Sequence, residues 1–259
     1  MIPSDEPDGI ARPGPTHPNR LGHLRRLDLI RHGESAGNVA NDAARAGGLE
    51  MLDLATRDMD VPLSERGEAQ ARALGTWMAA QRPDCILSSP YRRAIDTATL
   101  ALGAAGVDRQ VRYDERLRER EFGILDRLTR SGIEARHPEQ AAARAFLGKM
   151  YHRPPGGESW VDVAARVRSF HQDLRLDHPA GHVVVVAHQA VILLFRYVLE
   201  SLTEAQILAI DADADIANTA VTTYVSDGTT PLTLTAFNQY DHLPPELLTT
   251  RSDVPAAPR

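Results

Sequence analysis

Cysteine is almost absent from this chain of 259 residues, which contains Cys85 and no other. A single cysteine cannot form an internal disulfide, and its position in the apolar run Cys85-Ile86-Leu87 predicts a buried core residue. The chain also lacks any run of roughly 18 apolar residues and any apolar signal segment at its start, so we predict neither a membrane span nor export. These absences favour a cytoplasmic protein with no membrane partner.

An excess of basic charge is lacking as well. The 29 Lys and Arg residues are outnumbered by 35 Asp and Glu residues, which gives a formal net charge of -6. This balance argues against a general nucleic-acid binder, because binding to a phosphate backbone normally needs a basic face. A small anionic substrate remains compatible with it, because exposed charges more than about 10 Å apart are largely screened and a pocket can be locally positive.

Predicted strands and helices alternate along most of the chain. Strands are predicted at 24–30, 84–88, 110–113, 183–187, 219–225 and 232–237, and helices at 64–81, 91–103, 128–150, 159–177 and 190–202. This alternation predicts an α/β fold, a three-layer α/β/α sandwich with a mainly parallel central sheet. We expect one domain over residues 24–240 with a small helical cap at about 125–155. A proline-rich disordered leader is expected at 1–23 and a loosely ordered tail at 241–259.

Three predicted strands end beside residues that could bind a phosphate. The first strand ends on Arg31 and His32, the second is followed by Arg92 and Arg93, and the strongest apolar strand ends on His188. If these strands are parallel, their ends meet at one edge of the sheet and form a pocket. Arginine binds phosphoryl oxygens bidentately, and a neutral imidazole can attack phosphorus. The pattern therefore predicts phosphoryl chemistry, although each residue alone could merely cap a strand.

Two acidic segments are candidates for a proton donor and for a metal site. A protonated carboxyl is needed for the leaving oxygen, and Glu119 and Glu121 lie in the one densely charged loop. The acidic run at 211–215 imitates the start of a calcium loop, but Ile216 and Thr222 stand where such a loop needs glycine and glutamate. We interpret that run as a solvated helix end or turn.

Six motifs in a fixed order make the pattern more specific than any single residue. They are Arg31–Asn38, Pro62–Gly67, Ser88–Ala94 with Thr97, Leu117–Gly123, Gly157–Ser159 and Val186–His188. In this order they resemble the histidine phosphatase superfamily, in its phosphoglycerate-mutase-like branch, over roughly residues 24–240. The resemblance implies that family's fold and a phosphoryl-transfer activity that needs no metal or other cofactor.

The resemblance also implies roles for individual residues. His32 would be the nucleophile that becomes phosphohistidine, and Glu119 would be the general acid that protonates the leaving alcohol. Arg31, Arg93 and His188 would hold the phosphoryl oxygens and stabilise the charge of the transition state.

Further residues are assigned to substrate binding with the same argument. Asn38, Ser35 and Gln189 are the candidates, Asn38 through a hydrogen bond to the phosphoryl group. Arg92 is a weaker choice than Arg93, because the family's arginine directly precedes the small residue of its motif, here Ala94. Glu121 is likewise a weaker choice than Glu119.

Hydrolysis is favoured over transfer to a second substrate. Related mutases usually carry a tryptophan between the Ser and Asn of the first motif, where this chain has Ala36 and Gly37. The segment His188–Val191 resembles a fructose-2,6-bisphosphatase domain, but Leu193 stands where that domain has a phosphate-binding arginine. We therefore expect a phosphatase acting on a small phosphomonoester. A phosphoglycerate mutase and a non-catalytic anion-binding or interaction module remain the alternatives.

The leaving group is expected to be selected by the segment from Leu125 to Pro155. Within it, Lys149, His152 and Arg153 are candidates for a second contact to an anion, although a solvated helix end explains them equally well. The expected partner is a small phosphorylated substrate, and a homodimer is compatible with the sequence.

Overall fold

The computed structural model describes residues 23–213 and 215–249. Residues 1–22 of the predicted leader and residues 250–259 of the predicted tail lie outside this range. Within it, the chain forms a six-stranded sheet with helices on both faces. The strands are β1 Arg26–Arg31, β2 Cys85–Ser88, β3 Val111–Tyr113, β4 His182–Ala187, β5 Val221–Val225 and β6 Thr233–Gln239.

The sheet has the order β3-β2-β4-β1-β5-β6. The pairs β3-β2, β2-β4 and β4-β1 are parallel, whereas β5 and β6 run antiparallel at the other edge. The predicted mainly parallel sheet is thus confirmed. Because β2, β4 and β1 are parallel neighbours, their carboxyl ends lie side by side, which is the condition for the predicted site.

Eight α-helices lie in the described residues. They are α1 Ala36–Ala46, α2 Glu65–Gln81, α3 Arg92–Ala105, α4 Arg130–Arg136, α5 Pro138–Tyr151, α6 Trp160–Asp177, α7 Gln189–Leu199 and α8 Glu204–Asp213. Ser64 and Ser159 cap α2 and α6 as predicted, each by accepting a hydrogen bond from a backbone N–H of the first turn. None of the helices in residues 23–213 and 215–249 is both long and apolar enough to cross a membrane.

Side chains alternate between the two faces of each inner strand, and each face has its own core. Helices α2 and α3 cover one face and bury Ile30, Ile86 and Val184. Helices α6 and α7 cover the other face, where Leu29 and Cys85 lie in the larger core. This arrangement is the predicted three-layer sandwich, and Cys85 is the core residue that its apolar neighbours indicated.

The cap differs in detail from the prediction. The segment predicted as helical over 128–150 forms two helices, α4 and α5, and Leu125, Leu128 and Ile133 make a small separate core there. Helix α5 is interrupted at Gly148, whose φ of 75° is in the left-handed region that favours glycine. The residues that follow, Lys149 first among them, therefore leave the line of the helix.

The interpretation of residues 211–215 as solvated is wrong for Asp211. This residue lies in the last turn of α8, a helix that the sequence analysis did not predict, and it is buried. Its carboxylate accepts a hydrogen bond from Lys149 Nζ, so α8 is tied to the end of α5. The prediction of a solvated helix end holds for Ala212 and Asp213, which are exposed at the end of α8.

Candidate active site

The two histidines of the predicted pocket meet at the carboxyl ends of β1 and β4. The ring centroids of His32 and His188 are 5.1 Å apart, and both side chains are buried. The His32 backbone is fixed from two sides, since its N–H donates to Ala187 O at 3.0 Å and its carbonyl accepts from Asn218 Nδ2 at 3.0 Å. The ring of His32 therefore projects from a rigid position in the centre of the sheet.

The hydrogen bonds of His32 define which ring nitrogen can react. Nδ1 lies 2.7 Å from the carbonyl oxygen of Gly33, which can only accept, so Nδ1 carries the proton of the neutral ring. Burial, with Arg93 and Arg31 nearby, holds the pKa of His32 well below its usual value. The ring is consequently neutral at pH 7, and Nε2 has the lone pair that a nucleophile needs.

The turn after His32 packs tightly against the start of α2. A Cβ atom on Gly67 would lie 1.9 Å from the carbonyl oxygen of Glu34, so only glycine allows this approach. The buried Glu34 carboxylate accepts hydrogen bonds from Ser64 Oγ and from Arg66 Nη1. The motif at 62–67 thus holds the turn after His32 in place through its contacts with Glu34.

Glu119 lies next to His188 inside the same site. Its Oε2 is 3.9 Å from His188 Nδ1, and its Oε1 accepts a hydrogen bond of 2.8 Å from the Arg120 backbone N–H. Burial raises the pKa of the Glu119 carboxyl against the opposing effect of Arg93, while burial and Arg93 lower the pKa of His188. A carboxyl whose pKa is raised holds its proton to higher pH than an exposed one, which is the direction that a general acid needs.

The loop that carries Glu119 is held by Arg166 of α6. Arg166 Nη2 donates to the Glu119 carbonyl oxygen at 3.2 Å, Nη1 donates to Arg116 O at 2.6 Å, and Nε donates to Glu158 Oε1 at 3.0 Å. Glu158 belongs to the motif at 157–159 and also accepts from the Arg118 side chain. The sequence analysis missed Arg166, because only the fold brings α6 to the loop at 117–123.

Arg93 faces the site, and Arg92 does not. The Arg93 guanidinium is buried and donates to both carboxylate oxygens of Asp58, at 2.9 and 3.2 Å, and to the Asp58 carbonyl at 2.7 Å. Arg92 is largely exposed and pairs with Asp96 on the outer side of α3. Arg31 lies buried beside His32, where its Nη1 donates to the Ile216 carbonyl. Both predicted phosphate-binding arginines are therefore in the site, and Asp58 is an unpredicted partner.

Residues 27–239 match the sequence model of the histidine phosphatase superfamily, branch 1. The chain belongs to this superfamily. Its relatives include a glucosyl-3-phosphoglycerate phosphatase of Mycobacterium tuberculosis (strain H37Rv), 37% identical over 176 residues that cover 65% of this chain and 72% of the relative. Another is a 2,3-bisphosphoglycerate-dependent phosphoglycerate mutase 2 of Gloeobacter violaceus, 33% identical over 190 residues that cover 72% of this chain and 81% of the relative.

The fold of the superfamily is also found in the solved structures that this chain resembles. A mycobacterial glucosyl-3-phosphoglycerate phosphatase in complex with inorganic phosphate is 29% identical, with a TM-score of 0.66 over 85% of this chain and 100% of that one. A structure titled mycobacterial hydrolase 1 has a TM-score of 0.67 and 32% identity over 83% of this chain and 98% of that one. The relatives of this chain thus include proteins named as phosphatases and as phosphoglycerate mutases.

The three predicted substrate-binding residues all line the cleft that contains His32. Ser35 caps α1 and forms a capping box with Asn38, whose Oδ1 accepts from the Ser35 N–H at 2.9 Å. Gln189 begins α7, and within the described residues its buried Oε1 has no hydrogen-bond partner. Glu121, by contrast, accepts from the Tyr91 hydroxyl at 2.6 Å and is exposed, so the structure favours Glu119 of the two carboxyls.

The cleft extends from His32 towards the cap and opens to solvent. Its wall comes from residues 47–64 and from the cap, which are joined by hydrogen bonds such as Thr129 Oγ1 to Leu49 O at 2.7 Å. Apolar side chains dominate this wall, namely those of Leu52, Leu54, Phe122, Leu125, Leu128 and Ile133.

The three candidate cations of the cap have different surroundings. Lys149 lines the cleft, with Nζ 4.6 Å from the centre of the Trp160 ring and paired with Asp211. His152 is buried behind the cleft wall. Arg153 is exposed and pairs with Asp162 at the start of α6. The structure therefore brings only Lys149 of the three to the site.

Proposed function

We propose that this histidine phosphatase hydrolyses a small phosphomonoester without a metal, through a phosphohistidine intermediate on His32. The observation that carries the proposal is that buried His32, at the carboxyl end of β1, and the buried carboxyl of Glu119 line the same cleft. Arg31, Arg93 and His188 surround the same point and supply N–H donors for phosphoryl oxygens.

The reaction proceeds in two balanced steps. In the first, the Nε2 lone pair of His32 forms a bond to phosphorus while the bond from phosphorus to the ester oxygen breaks. The Glu119 carboxyl gives its proton to that oxygen, and the alcohol leaves. In the second step Glu119 takes a proton from water, the resulting oxygen attacks phosphorus, and the P–N bond breaks. Inorganic phosphate is released, and His32 recovers its lone pair.

The proposal is tested with phosphate release from a panel of esters in the presence of a chelator. The panel contains p-nitrophenyl phosphate, sugar phosphates, phosphoglycerates, phosphoserine and nucleotides. We expect release by the wild type that chelator does not reduce and that His32→Ala abolishes. Loss of activity with chelator, or undiminished activity of the His32→Ala variant, would contradict the mechanism.

The role of Glu119 is tested separately by varying the leaving group. A phenolate such as p-nitrophenolate departs with little help from a proton, whereas an alkoxide needs one. Glu119→Gln should therefore reduce kcat for sugar phosphates by about 10²- to 10⁴-fold, and reduce kcat for p-nitrophenyl phosphate much less. Equal losses for both esters would assign Glu119 a role other than general acid. Glu121→Gln, which changes the exposed neighbour, is the matched control.

Phosphoglycerate mutase activity is the second candidate, because the Gloeobacter violaceus relative carries that name. Against it, Ala36 and Gly37 stand where related mutases usually have a bulky tryptophan, and Gly37 lines the cleft. Incubation with 3-phosphoglycerate and a 2,3-bisphosphoglycerate primer separates the two activities. Formation of 2-phosphoglycerate faster than inorganic phosphate would establish the mutase instead.

A further inference from the structure

Three cations on the cap side of the site lie close enough to affect one another's charge, and two of them, Arg120 and Lys149, line the cleft. The three are Arg120 of the Glu119 loop and Arg144 and Lys149 of α5. Lys149 pairs with Asp211, but neither arginine forms an ion pair within the described residues. Arg120 donates to two backbone carbonyls and has a buried Nη1 without a hydrogen-bond partner there.

Arg144 is the least compensated of the three. Both of its terminal nitrogens, Nη1 and Nη2, are buried, and among the described residues neither has a hydrogen-bond partner. Asp211, the acidic group whose charge acts on Arg144, is already bonded to Lys149. A guanidinium in this state has lost water without gaining an acceptor, which is unfavourable unless another group supplies one.

The cations also act on one another. Burial, and after it the charge of Arg144, lowers the pKa of Arg120 to about 10. Burial lowers the pKa of Lys149 in spite of Asp211, and Arg144 and Arg120 lower it further. Glu119, Glu158 and Asp162 oppose the lowering at Arg120, but the net result at both groups is a lowered pKa, as expected for cations buried beside one another.

We propose that Arg120, Arg144 and Lys149 form a second anion site, which binds a carboxylate or phosphate on the leaving group of the substrate. Arg120 and Lys149 line the same cleft as His32, and the planar guanidinium fork matches both kinds of anion. This inference rests on the proposed phosphatase function and narrows its substrate to phosphomonoesters with a further negative charge. His32 and its arginines bind the phosphoryl group that is cleaved, and the cluster binds the second group.

Matched ester pairs test the inference. In the first pair, glycerol 3-phosphate has a hydroxymethyl group where 3-phosphoglycerate has a carboxylate. In the second pair, fructose 1,6-bisphosphate has one phosphate more than fructose 6-phosphate. In at least one pair we expect wild-type kcat/KM to favour the ester with the extra charge by roughly tenfold or more. Arg144→Gln should abolish most of that ratio. Arg153→Gln removes an exposed cap arginine that pairs with Asp162, and should keep the ratio.

A second readout keeps the test decisive if turnover is absent. The same esters are titrated calorimetrically into His32→Ala and into His32→Ala/Arg144→Gln, and we expect the preference to appear in the first protein and to be lost in the second. Phosphate release without preference in any pair would overturn the second anion site and leave the proposed function intact. Preferential binding without any phosphate release would support the second anion site and overturn the proposed function.

Stability provides a third measurement, because a purely structural arginine would behave differently. Removing an uncompensated buried charge should leave the melting temperature of the free Arg144→Gln protein unchanged or raised. A lowered melting temperature together with an intact ester preference would assign Arg144 a structural role and overturn the proposal.

Discussion

Asp58 offers the sharpest test of how the site accepts phosphate. Its carboxylate accepts two hydrogen bonds from the Arg93 guanidinium, at 2.9 and 3.2 Å. A phosphoryl group that binds Arg93 must either displace this carboxylate or lie beside it, and both outcomes weaken phosphate binding. Asp58→Asn removes the charge and keeps the size of the side chain, so phosphate should bind more tightly.

The magnitude follows from the exposure of the pair. The Arg93 side chain is only 6% exposed, but the Asp58 side chain is 37% exposed, so solvent screens the interaction. An ion pair of this kind contributes about 1 kcal/mol, which corresponds to roughly a fivefold change in affinity. We therefore expect the inhibition constant of inorganic phosphate to fall by about that factor in Asp58→Asn, measured against p-nitrophenyl phosphate at pH 7.

A neighbouring acid in the same short segment supplies the control. Asp60 pairs with Arg57 at the surface, so Asp60→Asn should leave the inhibition constant unchanged. An unchanged constant in Asp58→Asn would mean that Asp58 and phosphate do not compete. A raised constant would refute the reasoning more strongly, since it would show that the carboxylate orients Arg93 for the substrate.

Two further predictions concern stability. The pKa of buried His188 in the folded protein is far below the pKa of a histidine in the unfolded chain. The unfolded chain therefore binds the proton first as pH falls, and the free energy of unfolding should decline below about pH 6.5 by up to about 1.4 kcal/mol per pH unit. Urea unfolding at pH 7.5, 6.0 and 5.0 should give a shallower decline in His188→Gln, and an equal slope would exclude this histidine as the source. Gly67→Ala should destabilise the protein by about 1–3 kcal/mol through the clash with Glu34. Gly103→Ala, in open space on α3, should instead stabilise it by about 0.5–1 kcal/mol, and thermal melts that rank the two otherwise would contradict the packing.

The reacting groups could be predicted from the sequence because they follow the most recognisable strands. The apolar run Val183–Val186 is typical of a strand covered on both faces, and the residue after such a strand lies at the ligand edge of the sheet. Arg31, His32 and His188 are therefore placed by local sequence alone. Which strands are neighbours is decided by the crossovers, and no single motif contains that information.

The other groups in the cleft could not be predicted in this way. Asp58 contacts Arg93 through a segment without helical or strand periodicity, so its position depends on the closure of residues 47–64. Arg144 and Lys149 have the sequence pattern of a solvated helix, but both are half-buried, and Lys149 is bonded to Asp211 of α8. Asp211 was interpreted wrongly for the same reason, since its partner lies 62 residues earlier in the chain.

Strand β1 lies inside the sheet, whereas the wall of the cleft lies outside it. The strand before His32 is hydrogen-bonded to β4 on one edge and to β5 on the other, so its amides exchange with solvent only when the whole sheet opens. The cleft wall comes instead from the cap and from residues 47–64, which lie outside the strands of the sheet. The residues proposed for bond cleavage and those proposed for substrate choice thus belong to separate parts of the fold. Substitutions in the wall can change the shape of the cleft while His32 keeps its place at the end of β1.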